Sequence, residues 1–282
     1  MLCLSFIVSG ATPITVKVAV HENLARFYHS TLKQKQKQAV ELNPSDMKNT
    51  RIGFVSLVLF IQALDKAGLA AKFQFINSPN SKRSERLVQT GDALFTMTTL
   101  SKGETPKDTL QSSVLLGPEG LLKGIYGLKS NHALMKVKTL AELKKFNGMA
   151  KLTGGDVNKI LQEIGLNKLE LSPTRKSILR HIAYKHADFV LLGITRATEH
   201  QIKIAGITLV PVPGALIQQE LSHHFLISKN HPDSERVYPA LEKGLNIMRQ
   251  QGLIKKYYRQ QIFFLDDFPH WKILNRADVG ME

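Results

Sequence analysis

Cysteine is almost absent from this chain: its 282 residues include only Cys3. No internal disulfide can form, and no thiolate cluster for a metal can be assembled. Long apolar runs are missing too, since the longest, "IGFVSLVLFIQAL" (Ile52 to Leu64), is too short to span a bilayer and runs straight into "DKAG". It reads as a buried core helix. The chain has no G-x4-G-K-[ST], no G-x-G-x-x-G and no G-x-S-x-G, so nucleotide binding and serine hydrolysis find no support. Its ten histidines include no H-x-H or H-x3-H pair. His223 and His224 are neighbours in an extended segment and point to opposite faces, and His181 and His186, five apart on a predicted helix, are expected to face apart. Neither a metal site nor a cofactor is therefore expected. Acidic residues are scarce, 23 against 38 lysines and arginines, for a formal charge of +15. The basic residues are scattered, and the densest alternation, "KQKQKQ" from Lys33 to Gln38, carries no aromatic side chains for base stacking. That stretch reads as a solvated loop or helix face, and nucleic acid is not expected as a partner. An anionic small ligand is compatible with the field of such a chain.

What the sequence does contain is enough apolar residue, 43%, for one large or two ordinary cores. The opening "MLCLSFIVSGA" combines an apolar run with a small-residue cleavage motif, and residues 1–11 read as a secretory signal peptide, although no Lys or Arg precedes the run. Export to the periplasm is the expectation, with a mature chain free of cysteine starting near Thr12. From Ile14 to Val20 the pattern is strand-like. A long polar connection follows, then the apolar helix, the strand "KFQFIN", a helix closing at Gly91, and a strand entering "TMTTLSKGETP". The alternation then restarts. Thr139 and Glu142 form a capping box, "GMAKL" reads as a strand, and "TGGD" (Thr153 to Asp156) opens a helix to about Ile164. After "KLELS", Ser172 and Pro173 are expected to begin the next helix, followed by the strands "ADFVLLG" and "ITLVPVPG". An amphipathic helix starts near Pro232 with Val237, Leu241, Leu245 and Met248 on one face and stops at Gly252. The apolar remainder, "LIKKYYRQQIFFLDDFPHW", is expected to pack on the first unit. Such alternation of strands and helices predicts an α/β fold with mostly parallel sheets.

The succession of "ITVKVAVHEN", "RLVQTGDALFTMTTLS", "TLAELKKFNGMAKLTGGD" with "HADFVLLG", and "FLISKNHPDSERVYPALEKGLNIMRQQGLIKKYY" resembles the extracellular solute-binding proteins of the amino-acid-binding type, with the type II periplasmic binding fold. The resemblance implies an α/β chain of two lobes, residues 12–124 with 223–282 and residues 125–222. Its chain crossings would fall near Leu122 to Gly127 and Ser222 to Leu226, and hinge closure would trap a small ligand. It implies a monomeric binding protein, not an enzyme, serving a membrane permease or a receptor made of separate chains. A sensing module, or a dehydratase-like enzyme with a buried carboxylate, are the alternatives on the same scaffold. Ligand-facing residues would be His21 and Glu22 at the first strand end, Thr98, Thr99 and Lys102 after the third, Gly154, Gly155 and Asp156 at a helix start, and Arg196 past the "ADFVLLG" strand. Gly154 and Gly155 either leave N–H groups open to an anion or form a tight turn with Asp156 as an ordinary cap. Binders of free amino acids in this family use an Arg for the α-carboxylate where this chain has Gly103 or Glu104, and an Asp for the ammonium near Gly193. With both missing, and Lys102 a point charge rather than a fork, the expected ligand is a small polar molecule with an acidic group.

Overall fold

The computed structural model describes residues 13–276 except 49, 102–104, 153–154, 195, 197–200 and 205, and for 98–101 and 155–156 it describes the backbone alone. In chain order the elements are β1 (Ile14–His21), α1 (Glu22–Lys35), α2 (Ile52–Lys66), β2 (Ala71–Ser78), α3 (Ser81–Thr90), β3 (Phe95–Ser101) and β4 (Thr109–Gln111). Then come β5 (Leu122–Leu128), α4 (Leu140–Leu143), β6 (Asn147–Lys151), α5 (Gly155–Ile164), β7 (Lys168–Ser172), α6 (Arg175–Ala183), β8 (Phe189–Gly193), β9 (Ile202–Ile204) and β10 (Ile207–Gln218). The chain closes with β11 (Leu221–Ser228), α7 (Ser234–Gln250), α8 (Leu253–Tyr258) and β12 (Lys272–Ile273). It divides into two compact units, residues 1–115 with 223–257, and residues 116–222 with 258–282.

The first unit is built on a sheet of order β2-β1-β3-β11-β4. β1 runs parallel to β2 in register from Ile14↔Ala71 to His21↔Ser78, and parallel to β3 through Val18↔Phe95, whereas β4 is antiparallel to β11. Helix α2 is apolar on every side, and each residue from Phe54 to Leu64 is buried, as a helix without a polar face must be. Even Gln62 fits this interior, because its amide donates to the carbonyls of Ala39 (3.0 Å) and Leu42 (2.7 Å). α7 presents Val237, Leu241, Gly244, Leu245 and Met248 as its buried stripe. The polar connection expected after β1 instead contains a 14-residue helix, α1. Its buried face is Ala25, Tyr28 and Thr31, spaced by threes but with few apolar groups, so the helical period carried little hydrophobic signal. The Lys/Gln alternation ends that helix at Gln36 in the left-handed region, and Lys35 and Lys37 fold over Asp46 at 3.7 and 2.9 Å.

The second unit has a sheet of order β12-β10-β5-β8-β6-β7, with β9 on β10. β6 pairs parallel with β7 and β8, while β5 is antiparallel to both β8 and β10, so the sheet is mixed rather than mostly parallel. Alternate strand residues enter separate cores, Met149 and Val190 with Ile178 and Ile182 of α6, Ala150 and Phe189 with Leu161 of α5. The capping box of Thr139 and Glu142 is present, but α6 is capped by Thr174, whose hydroxyl accepts from the Ser177 N–H at 3.1 Å, and not by Ser172. Two expectations about organisation change. The closing segment from Tyr258 belongs to the second unit, because β12 extends its sheet (Ala215↔Lys272, Leu216↔Ile273) and Phe268 and Trp271 join its core. The chain also passes between units at 115/116, 222/223 and 257/258, and Leu122 to Gly127, expected as a crossing, is strand β5 itself.

Burial in the first unit pushes the imidazoles of His224 and His231 below the usual histidine range. The Ser112 carbonyl, 2.8 Å from His224 Nδ1, opposes the shift without cancelling it. A group neutral in the fold and more easily protonated when unfolded stabilises the fold above its unfolded pKa and loses that contribution as pH falls. Urea denaturation should therefore show stability declining between about pH 7 and 5, with a flatter decline in His224→Gln.

Candidate functional site

In the first unit three parallel strands end side by side. β1 and β2 finish together at His21↔Ser78, and from Val18↔Phe95 the register carries β3 past Thr98 beside His21. Open ends of parallel strands are where α/β sheets offer polar backbone to a ligand, and here β1 and β2 lead into the helices α1 and α3, whereas the element after β3 is β4. The side chains there are partly committed. His21 is the N-cap of α1, its Nδ1 accepting from the Asn23 N–H at 3.1 Å, which leaves the ring proton on Nε2. Glu22 opens the helix and lies 3.6 Å from Arg26 on an exposed surface, so His21 and Glu22 serve separate local tasks rather than one acid–base exchange. Ser78 donates to the Asn80 carbonyl at 2.8 Å, and Asn80 caps α3 through Arg83 N–H at 2.9 Å. Below this rim, the buried Thr96 hydroxyl donates to the Ala19 carbonyl at 2.9 Å and ties β3 to β1. Thr98 and Thr99 lie on β3, and Lys102 lies outside the described residues.

The second unit presents the ends of β6 and β8, which are neighbours in its sheet. Gly155 and Asp156 are the first residues of α5, directly after β6, and Gly154 lies outside the described residues. Sequence reasoning missed Asn158 in the first turn of α5. Its amide donates to the Lys151 carbonyl at 3.0 Å, and its Oδ1 is buried without a partner. Nothing in a lone Asn four residues into a helix separates it from a surface polar residue. Gly193 ends β8 with open space where a side chain would stand.

Arg196 is brought close to this strand end, yet its guanidinium is engaged elsewhere. Nε donates to the Arg259 carbonyl (2.6 Å), a terminal nitrogen donates to Asp267 (3.2 Å), and the plane lies 4.1 Å over the Phe263 ring. Arg259 adds its own bonds to Asp266 and Asp267. The cluster fastens the closing segment to the second unit. Lysine cannot reproduce the planar fork, so Arg196→Lys should lose about 1–2 kcal/mol locally. Roughly tenfold faster amide exchange over residues 259–273 is the expected reading, with ligand affinity unchanged. An affinity loss without faster exchange would return Arg196 to the ligand.

Among the described residues no group of three or more His, Cys, Asp or Glu could hold a metal ion. His181 and His186 do not face apart: α6 ends at Ala183, Lys185 adopts a left-handed conformation, and the rings meet at 5.6 Å.

No family model matches the chain, and no curated protein matches its sequence. Solved structures do match. The probable amino-acid ABC transporter extracellular-binding protein YtmK of Bacillus subtilis aligns over 88% of this chain and 97% of its own, at 15% identity and a TM-score of 0.58. The second substrate-binding domain of Lactococcus lactis GlnP, in its open conformation, aligns over 89% and 96%, at 14% and 0.52. The fold is that of the type II periplasmic binding proteins. A further binding-protein fold of this kind, an amino acid ABC transporter substrate-binding protein from Streptococcus pneumoniae bound to L-arginine, covers 87% of this chain and 92% of its own, at 15% identity and a TM-score of 0.52.

Proposed function

We propose that this type II periplasmic binding protein fold serves as an exported solute-binding protein, which captures a small polar ligand carrying an acidic group and delivers it to a membrane importer of separate chains. The observation that carries the reading is the agreement in fold along nearly the whole chain with transporter binding proteins. The exposed ends of parallel strands supply the chemistry. Thr98, Thr99, His21 and Lys102 would contribute from the first unit, and Gly154, Gly155, Asp156 and Asn158 from the second, with closure of the units on the ligand. Arg196 is set aside because Asp267 and the Arg259 carbonyl already occupy it.

The ligand class follows from charge pairing. A free amino acid buried at such a site needs a firm cation for its carboxylate and an anion for its ammonium, or it leaves a charge unpaired. Between Thr96 and Ser113 the chain has no Arg, and Gly193 falls near the place where the family resemblance implies the acid. A thermal-shift panel of organic acids, short peptides, phosphorylated and sulfonated compounds and ordinary amino acids tests this. At a hundredfold excess over Kd the matching acid should add about 2.7 kcal/mol, a rise of roughly 5–10 °C for units of this size. A clear shift by ordinary amino acids, lost in Thr98→Ala, would overturn the ligand class. No shift by any compound, with no small molecule retained in native mass spectra, would overturn the binding function.

A further inference from the structure

The second unit carries a depression of about 360 Å³ along one face of α6. Its walls are Lys176, Ser177, Arg180, His181, Tyr184 and His186, with the capping Thr174 at one end. Positions 177, 180, 181 and 184 share a helical face. His186 is returned to that face by the left-handed Lys185, its N–H donating to the His181 carbonyl at 2.9 Å. Among the described residues no acidic side chain lines the depression, and neither Lys176 nor Arg180 forms an ion pair. The carboxylate that senses both imidazoles is Glu170 on β7. Lys168 already holds it at 2.6 Å and keeps it below the usual carboxylate range, with smaller contributions from the two histidines.

His181 lies on the same wall. Its Nδ1 is shut away from solvent and has no hydrogen-bond partner. A buried orphan N–H is rarer than an orphan acceptor, so the proton belongs on Nε2, the ring's remaining polar atom. The wall thus combines two cations without an ion-pair partner among the described residues, a hydroxyl and an imidazole donor. Two imidazoles alone fall short of the three or four protein ligands of a stable zinc site.

We propose that this depression on α6 binds a small oxyanion of the phosphate class, with Lys176 and Arg180 supplying charge and Ser177 and His181 supplying directed donors. The oxyanion can be free in solution or the headgroup of an anionic lipid. The site lies wholly within the second unit and is separate from the strand ends proposed above, so either can fail without the other.

The probe is inorganic phosphate, titrated at low ionic strength against sodium chloride of equal ionic strength, with ³¹P line broadening and calorimetry as readouts. Saturable one-to-one binding is expected, with shifts of the His181 and His186 ring signals. Lys176→Gln/Arg180→Gln, two exposed positions that the fold does not need, should weaken it at least tenfold. Arg175→Gln, on the same turn but outside the depression, should change it less than twofold. The strand-end ligand's thermal shift should persist in all three proteins. Sedimentation with phosphatidylglycerol vesicles, competed by phosphate and lost in the double variant, would support the site and assign its oxyanion to a headgroup. Absence of vesicle binding alongside phosphate binding would support it and assign a free oxyanion. No saturable phosphate binding, or equal binding by the double variant, overturns the proposal.

Discussion

Phe60→Ala is expected to destabilise the first unit by about 3–5 kcal/mol, the range for deleting a fully buried aromatic ring. Phe60 stands in the middle of α2 and is completely buried. Its ring stacks on Phe95 at 3.5 Å and an interplanar angle of 10°, and meets the edge of Phe225 at 5.1 Å and 87°. These two partners come from β3 and β11, neighbours in the five-stranded sheet, so one side chain joins the central helix to two strands. Removing it leaves a void lined by rings that cannot close over it. Amide exchange in α2 should accelerate by roughly two to four orders of magnitude, with Phe60→Leu recovering part of the loss. A change of less than tenfold would mean that this ring does not anchor the core.

Among the substitutions, Gly244→Ala is expected to have the second largest effect on stability, and its sign is diagnostic. In a helix interior, alanine in place of glycine stabilises by about 1 kcal/mol. Here a Cβ on α7 would stand 1.8 Å from the Ala63 carbonyl oxygen and 2.4 Å from its carbon, both backbone atoms of α2. A flexible side chain could swing aside, but helix backbone cannot without parting the two helices. Overpacking of that kind costs about 1–3 kcal/mol and sometimes more. The steric term prevails over propensity, and a net loss near 2 kcal/mol should lower the melting temperature by roughly 4–8 °C. An unchanged or raised melting temperature would show that α2 and α7 are not in backbone contact.

These two sites differ in how far the sequence reveals them. The burial of α2 was legible because thirteen residues from Ile52 to Leu64 contain almost nothing polar, and the stripe of α7 because Val237, Leu241, Leu245 and Met248 keep helical spacing. The succession of elements was legible for the same reason, since local pattern sets local structure. Helix α1 was not, because Ala25, Tyr28 and Thr31 give its buried face almost no hydrophobic contrast. The placement of the closing segment was hidden as well. β12 is two residues long, and its partner on β10 lies 57 residues earlier at Ala215↔Lys272, a pairing that no local pattern encodes. Arg196 illustrates the same limit at the candidate site: its position after β8 was readable, but its partner Asp267, 71 residues away, was not. The pairing of His181 with His186 depended on a single left-handed residue, Lys185, which sequence alone gave no reason to expect. Motif order revealed the fold, whereas the duties of individual side chains depended on long-range contacts.

Small-angle X-ray scattering of the protein, with and without the acidic ligand identified by the thermal-shift panel, tests the central claim most directly. Closure of two units on a ligand should reduce the radius of gyration and sharpen the pair-distance distribution at saturation. An unchanged radius of gyration, with saturation verified by calorimetry on the same sample, would contradict capture by closure.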